Sequence, residues 1–119
     1  MKKNYTYLTL KEVEGVGSTH DSYLKRSIQE RVKALDLVID ASDLATFIGG
    51  VKVVSPPIRC DWAVEKEFFP GVKTIFIYSS PDEEFDSQLQ VLFAGETLSE
   101  IKGEDLVTLS IATLNHMLR

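Results

Sequence analysis

The sequence predicts an α+β fold: a mainly antiparallel meander sheet of four to six strands, with two principal helices near residues 19–35 and 104–118 packed on it. Two observations carry this. Strand-like segments follow one another between residues 51 and 101 with only short turns between them, and a parallel crossover needs a dozen or more intervening residues. Apolar stripes of helical period lie on either side of that block.

Residues 4–13 read as a strand, with Tyr5, Tyr7 and Thr9 alternating against Thr6, Leu8 and Leu10. Gly15-Val16-Gly17 ends it, and Ser18 or Thr19 offers an N-cap. Leu24, Ile28, Val32 and Leu35 then recur at spacings of four, four and three, which is one helical stripe. The segment 35–39 suits either the end of that helix or a short buried strand. Ser42 is placed to cap a second, shorter helix through Phe47 and Ile48, stopped by Gly49-Gly50.

Val51, Val53 and Val54 form a strand pattern ended by Pro56-Pro57. Ile58, Cys60, Trp62 and Val64 then alternate with Arg59, Asp61, Ala63 and Glu65, the period of a strand. A helix over 61–69 is the competing reading, on the propensity of its Glu and Lys residues. Pro70-Gly71 turns the chain into Val72–Ser79, whose Ile75-Phe76-Ile77-Tyr78 core is too apolar for an exposed edge. The acidic loop 81–86 separates this from Leu89–Ala94, and Gly95-Glu96 suits a hairpin turn into a strand at 97–101. Acidic residues at 104 and 105 open the last helix, where Val107, Ile111, Leu114 and Leu118 form the expected buried stripe, flanked by Leu106 and Met117. Arg119 ends the sequence with no C-cap signal, so a native chain that continues is compatible with the pattern.

The 119 residues set the scale of one domain, and 44% apolar against 26% charged is the composition of a folded globule. The longest run without Asp, Glu, Lys or Arg, from Leu106 to Leu118, is shorter than a spanning helix, so no membrane partner is expected. Met1-Lys2-Lys3-Asn4 is not followed by an apolar segment, and one cysteine allows no internal disulfide. A cytoplasmic, bacterial-style protein is the expectation.

The net charge of −5 is unevenly spread. Residues 1–33 hold seven bases and four acids, +3, whereas residues 61–105 hold three bases and eleven acids, −8. Phosphate neutralisation supplies most nucleic-acid affinity, and the largest one-signed block here is acidic, so no nucleic-acid partner is expected. The split instead suits a protein partner or a second copy of the chain.

The most suggestive passage is the glycine-containing connection into the first long helix, where Gly15, Gly17, Ser18, Thr19 and His20 form a candidate anion site. Small residues before a helix let a phosphate approach main-chain N–H groups. A dinucleotide fingerprint would need a third glycine where His20 stands, and no Walker A string is present, so a plain capped connection accounts for the same residues. Cys60 beside Trp62 reads as core, with Asp61 raising its thiol pKa. Neither histidine has metal-ligand spacing, and the 82–93 stretch has Ser87 and Phe93 where a calcium loop needs Gly and Glu, so neither a metal nor a cofactor is predicted.

Two functions remain from different classes. The first is a non-catalytic domain that binds a protein partner or small ligand, with self-association its simplest form. The charge split and the aromatics Tyr5, Tyr7, Trp62, Phe68, Phe69, Phe76 and Tyr78 favour it. Leu109 and His116, on the outward face of the last helix, are its candidate interface residues. The second is a phosphate- or nucleotide-binding enzyme, or a cofactor binder, using Gly15–His20.

Overall fold

The computed structural model describes residues 7–15 and 19–118. Four strands form one sheet in the order β1-β2-β3-β4, each antiparallel to its neighbour. They are β1 (Val51–Lys52), β2 (Trp62–Phe69), β3 (Val72–Ser79) and β4 (Gln88–Ala94). The predicted meander is present, and the 61–69 segment is strand, not helix. Four helices accompany it: α1 (Leu10–Glu14), α2 (His20–Gln29), α3 (Ala41–Ile48) and α4 (Gly103–Met117). A 3-10 helix at Val32–Leu37 follows α2 after Glu30 and Arg31, so the predicted helix over 19–35 is an α-helix followed by a tighter one. Among the described residues no helix is long and apolar enough to cross a membrane.

One face of the sheet carries the main core. Val64, Val72, Phe76, Tyr78, Leu89, Val91 and Phe93 bury there against Leu24 and Ile28 of α2 and Leu106 and Leu114 of α4. Ala63, Ile75 and Ile77 on the opposite face form a smaller cluster with Tyr7, Val53, Cys60 and Leu92. Both faces are apolar because β3 is buried on both, which explains its continuous Ile75–Tyr78 run.

Several expectations are corrected. Of the strand predicted at 4–13, residues 10–13 belong instead to helix α1, and among the described residues its main-chain pairing is confined to a bridge between Leu8 and Phe93; residues 4–6 lie outside the described residues. The cause is a capping box. Thr9 Oγ1 accepts from the Glu12 N–H at 3.1 Å and Glu12 Oε1 accepts from the Thr9 N–H at 3.0 Å. The cap of α3 is Asp40 and not the expected Ser42, which lies inside the helix and donates its N–H to the Asp40 carboxylate at 2.8 Å; the helix ends at the predicted stop, Gly49, with φ of 78°.

The predicted strand at 97–101 is instead a 3-10 turn, Leu98–Glu100. Thr97 is drawn back under the β2–β3 connection, its N–H bonded to Gly71 C=O and its hydroxyl to Pro70 C=O. On α4 the buried face is Leu106, Val107, Ser110, Thr113, Leu114 and Met117, while Ile111 and Leu118 are half-buried on its flank. Ser110 and Thr113 occupy the contact, the latter bonding its hydroxyl to Leu109 C=O at 2.8 Å, so a stripe drawn through large apolar residues alone is rotated away from it.

Two tyrosines tie separate layers together. Tyr78, whose ring lies tilted against Trp62 with centroids 5.0 Å apart, donates its phenol O–H to the Asp36 carboxylate on the 3-10 helix. Tyr7 donates to Glu65 Oε2 at 2.6 Å across the second face, where Lys73 Nζ lies 3.8 Å from Glu65 Oε1. Burial first, then the carboxylate partner, pushes both phenols well above their ordinary value. A raised phenol pKa favours folding while the proton is held, so this stability is fully present below about pH 10 and lost as pH rises toward the folded value. Urea unfolding is expected to show stability falling above about pH 10, with the fall reduced in Tyr78→Phe relative to the parent chain.

Candidate functional site

Among the described residues, the exposed apolar side chains Leu37, Ile39 and Phe47 gather on α3 and the segment leading into it, beside α4; others, Val51 and Val54 among them, lie elsewhere. Leu37 is the last residue of the 3-10 helix, and Val38 follows it in extended backbone, at φ −70° and ψ 121°. Val38 turns inward against the core, whereas Leu37 and Ile39 on either side of it face solvent. Leu37 is 82% exposed and Ile39 100%. Asp40 then starts α3, which projects Phe47 outward at 52% exposure. The Phe47 ring meets the His116 ring edge to face, with centroids 4.5 Å apart. Leu44 and Met117 floor a shallow hollow between Ile39 and Phe47.

A second hollow adjoins it across His116. Leu109, Ala112 and Phe68 line this one, together with Lys66. The Lys66 ammonium donates to the Ile48 carbonyl at the C-terminal end of α3, a favourable place for a cation. The surface is therefore polarised: Asp40 and Asp43 border the Ile39 end, and Lys66 and His116 border the Leu109 end. The predicted interface pair, Leu109 and His116, is brought together on it, Leu109 half-buried and His116 exposed. Sequence reasoning missed Leu37, Ile39 and Phe47.

The structure places the Gly15–His20 residues differently from an open anion cradle. Gly15 closes α1 with φ of 89°, Thr19 precedes α2 without a side-chain cap bond, and Gly17 and Ser18 lie outside the described residues. His20 Nδ1 is 2.6 Å from Glu14 Oε2. The same carboxylate lies against the first residue of α4, close enough that a Cβ on Gly103 would stand 2.0 Å from it. Glu14 thus occupies the N-terminal end of α4 and opposes a second anion beside His20.

Cys60 is half-buried and lies with Ala63, Ile75 and Ile77, on the face opposite Trp62 and Val64. The expected alternation through residues 58–64 fails because β2 begins only at Trp62, and Ile58 is exposed. Burial, then the neighbouring Asp61, pushes the thiol up. Labelling of Cys60 by a small thiol reagent is expected to be slow at neutral pH and to accelerate steadily into the alkaline range. A rate independent of pH near neutrality would contradict that assignment. Among the described residues, no group of three or more His, Cys, Asp or Glu side chains could hold a metal ion.

An all-antiparallel four-stranded meander covered by helices on one face defines the class as an α+β domain. The chain belongs to the family described as a domain of unknown function, DUF3786, whose model matches residues 4–116. Comparison with curated proteins and with solved structures gives no match.

Proposed function

We propose that this domain is a non-catalytic binding module that pairs with a second copy of itself through the α3–α4 surface. The observation that carries the reading is Ile39, fully exposed beside Leu37 and Phe47 and continuous with Leu109. A contiguous apolar patch rimmed by polar groups marks an interaction site more often than an idle surface. Its charge pattern favours a copy of the same chain. A two-fold axis near Phe47 sets the Asp40–Asp43 end of one protomer against the Lys66–His116 end of the other. The reading includes a reducing, cytoplasmic setting, which suits a lone thiol of raised pKa.

The phosphate-binding alternative at Gly15–His20 has less in its favour, because the Glu14 carboxylate already holds His20. Chemistry would need a nucleophile or base with an orienting partner, and His20, Cys60 and His116 sit on separate elements. Turnover of a phosphate ester that is lost in His20→Ala would overturn the non-catalytic reading.

Sedimentation velocity at hundreds of micromolar tests the pairing. The parent chain is expected to run as a dimer, and Ile39→Asp and Leu109→Glu as monomers. Ile39→Asp removes a side chain that is 100% exposed, so the unfolding free energy of the protomer should stay within about 0.5 kcal/mol of the parent. A parent chain that remains monomeric at that concentration eliminates self-association.

A further inference from the structure

A second surface, separate from the α3–α4 face, lies where α2 and the 3-10 helix pass along β4. They enclose a groove of about 460 Å³. Ile28, Val32 and Leu89 form its apolar floor, and Lys25, Lys33 and Gln29 stand on its helical wall. The other wall is Ser87 through Gln90, four consecutive residues. Side chains along a strand alternate between faces, so four in succession line one groove only when it runs along the strand's edge.

That edge carries main-chain groups of known direction. Strand β4 is last in the sheet, and Phe93 exchanges both main-chain hydrogen bonds with Leu8, at 2.7 and 2.8 Å. Alternate residues of a strand direct both groups to the same side, so Val91 and Leu89 present their N–H and C=O along this outer edge. Among the described residues, main-chain pairing to it stops at the Leu8 bridge, because Leu10 already begins α1. Ser87 adds a second, independent observation. It is 6% exposed, it lines the groove, and its hydroxyl has no hydrogen-bond partner among the described residues. A buried hydroxyl left unpaired is costly, and a ligand group that meets it recovers that cost.

We propose that this groove takes an extended acidic peptide segment, added to β4 as a further strand. Main-chain pairing to Leu89 supplies register, the apolar floor takes one inward side chain, and the lysines select acidic side chains on the helical wall. Lys25 remains 71% exposed although it is 3.1 Å from Asp21, and so can reach a carboxylate in the groove. Asp86, at the Ser87 end, repels a carboxylate there and so restricts the acids to the opposite end. The chain's own acidic loop is not the occupant. Asp82 folds it into a tight turn, with the Glu84 and Phe85 N–H groups on its carboxylate and its own N–H on Phe85 C=O.

The probes are a blocked peptide of alternating valine and glutamate, the same peptide with lysine for glutamate, and free glutarate, each titrated into the full chain. The glutamate peptide is expected to shift the amide resonances of Lys25–Lys33 and Gln88–Val91 and to slow hydrogen exchange at Leu89 and Val91 by about tenfold or more. Lys33→Glu, a change at an exposed position, should weaken that binding about tenfold or more while leaving the fold intact. Three results would overturn the proposal: equal binding of the lysine peptide, the same shifts from glutarate with no slowing of exchange, or no shift at millimolar glutamate peptide.

Discussion

Phe93→Ala is expected to lower the unfolding free energy by about 3–5 kcal/mol, the cost of removing a fully buried aromatic ring and leaving a cavity. Phe93 is 0% exposed and sits on β4 within the core between the sheet and the helices. Its main chain also anchors Leu8, so the altered strand carries the segment that leads into α1. Against a total stability of about 5–15 kcal/mol, the variant should unfold at a much lower urea concentration. Ile111→Ala, by contrast, should cost distinctly less, because Ile111 is half-buried on the flank of α4. Equal losses in the two variants would mean that α4 packs through its Ile111 face.

Gly95→Ala should be comparably damaging for a different reason. Gly95 has φ of 133°, a conformation that L side chains rarely adopt, and a Cβ there would lie 1.9 Å from the Gly71 carbonyl oxygen. The opposing atom is main chain of the β2–β3 turn and cannot swing aside as a side-chain tip can. Backbone strain and overpacking together should cost about 2–5 kcal/mol in urea unfolding. A loss below about 0.5 kcal/mol, the range of ordinary surface changes, would show that the two turns are not in contact.

The close approach of those turns also explains which parts of the fold were legible in the sequence. The meander was legible because Val72–Ser79 and Leu89–Ala94 carry long apolar runs bounded by turn residues, signals that depend on local pattern alone. The segment 97–101 has a strand-like composition, yet Thr97 is held by Pro70 and Gly71, a contact between residues distant in sequence. Tertiary constraint decides its conformation. The N-terminal segment shows the opposite case, since Thr9-Leu10-Lys11-Glu12 spells a capping box that the alternation of Tyr and Thr obscured.

The candidate surface was half legible. Leu109 and His116 follow from helical geometry, because they lie opposite the apolar stripe of α4. Leu37, Ile39 and Phe47 did not, since an apolar residue in a periodic pattern is ordinarily assigned to the core. Leu37 closes the 3-10 helix at Val32–Leu37, whose tighter winding departs from the α-helical phase, and Phe47 lies off the buried Ala41, Leu44, Ala45 and Ile48 face of α3. The groove beside β4 left no mark in the sequence, because it depends on where one strand edge meets one helix.

The most direct test of the pairing account is a dilution series of amide spectra of the parent chain, from millimolar to micromolar concentration. The account predicts concentration-dependent shifts confined to residues 37–48, 66–68 and 109–117, abolished in Ile39→Asp. Spectra that do not change with dilution, or that change elsewhere on the molecule, would contradict it.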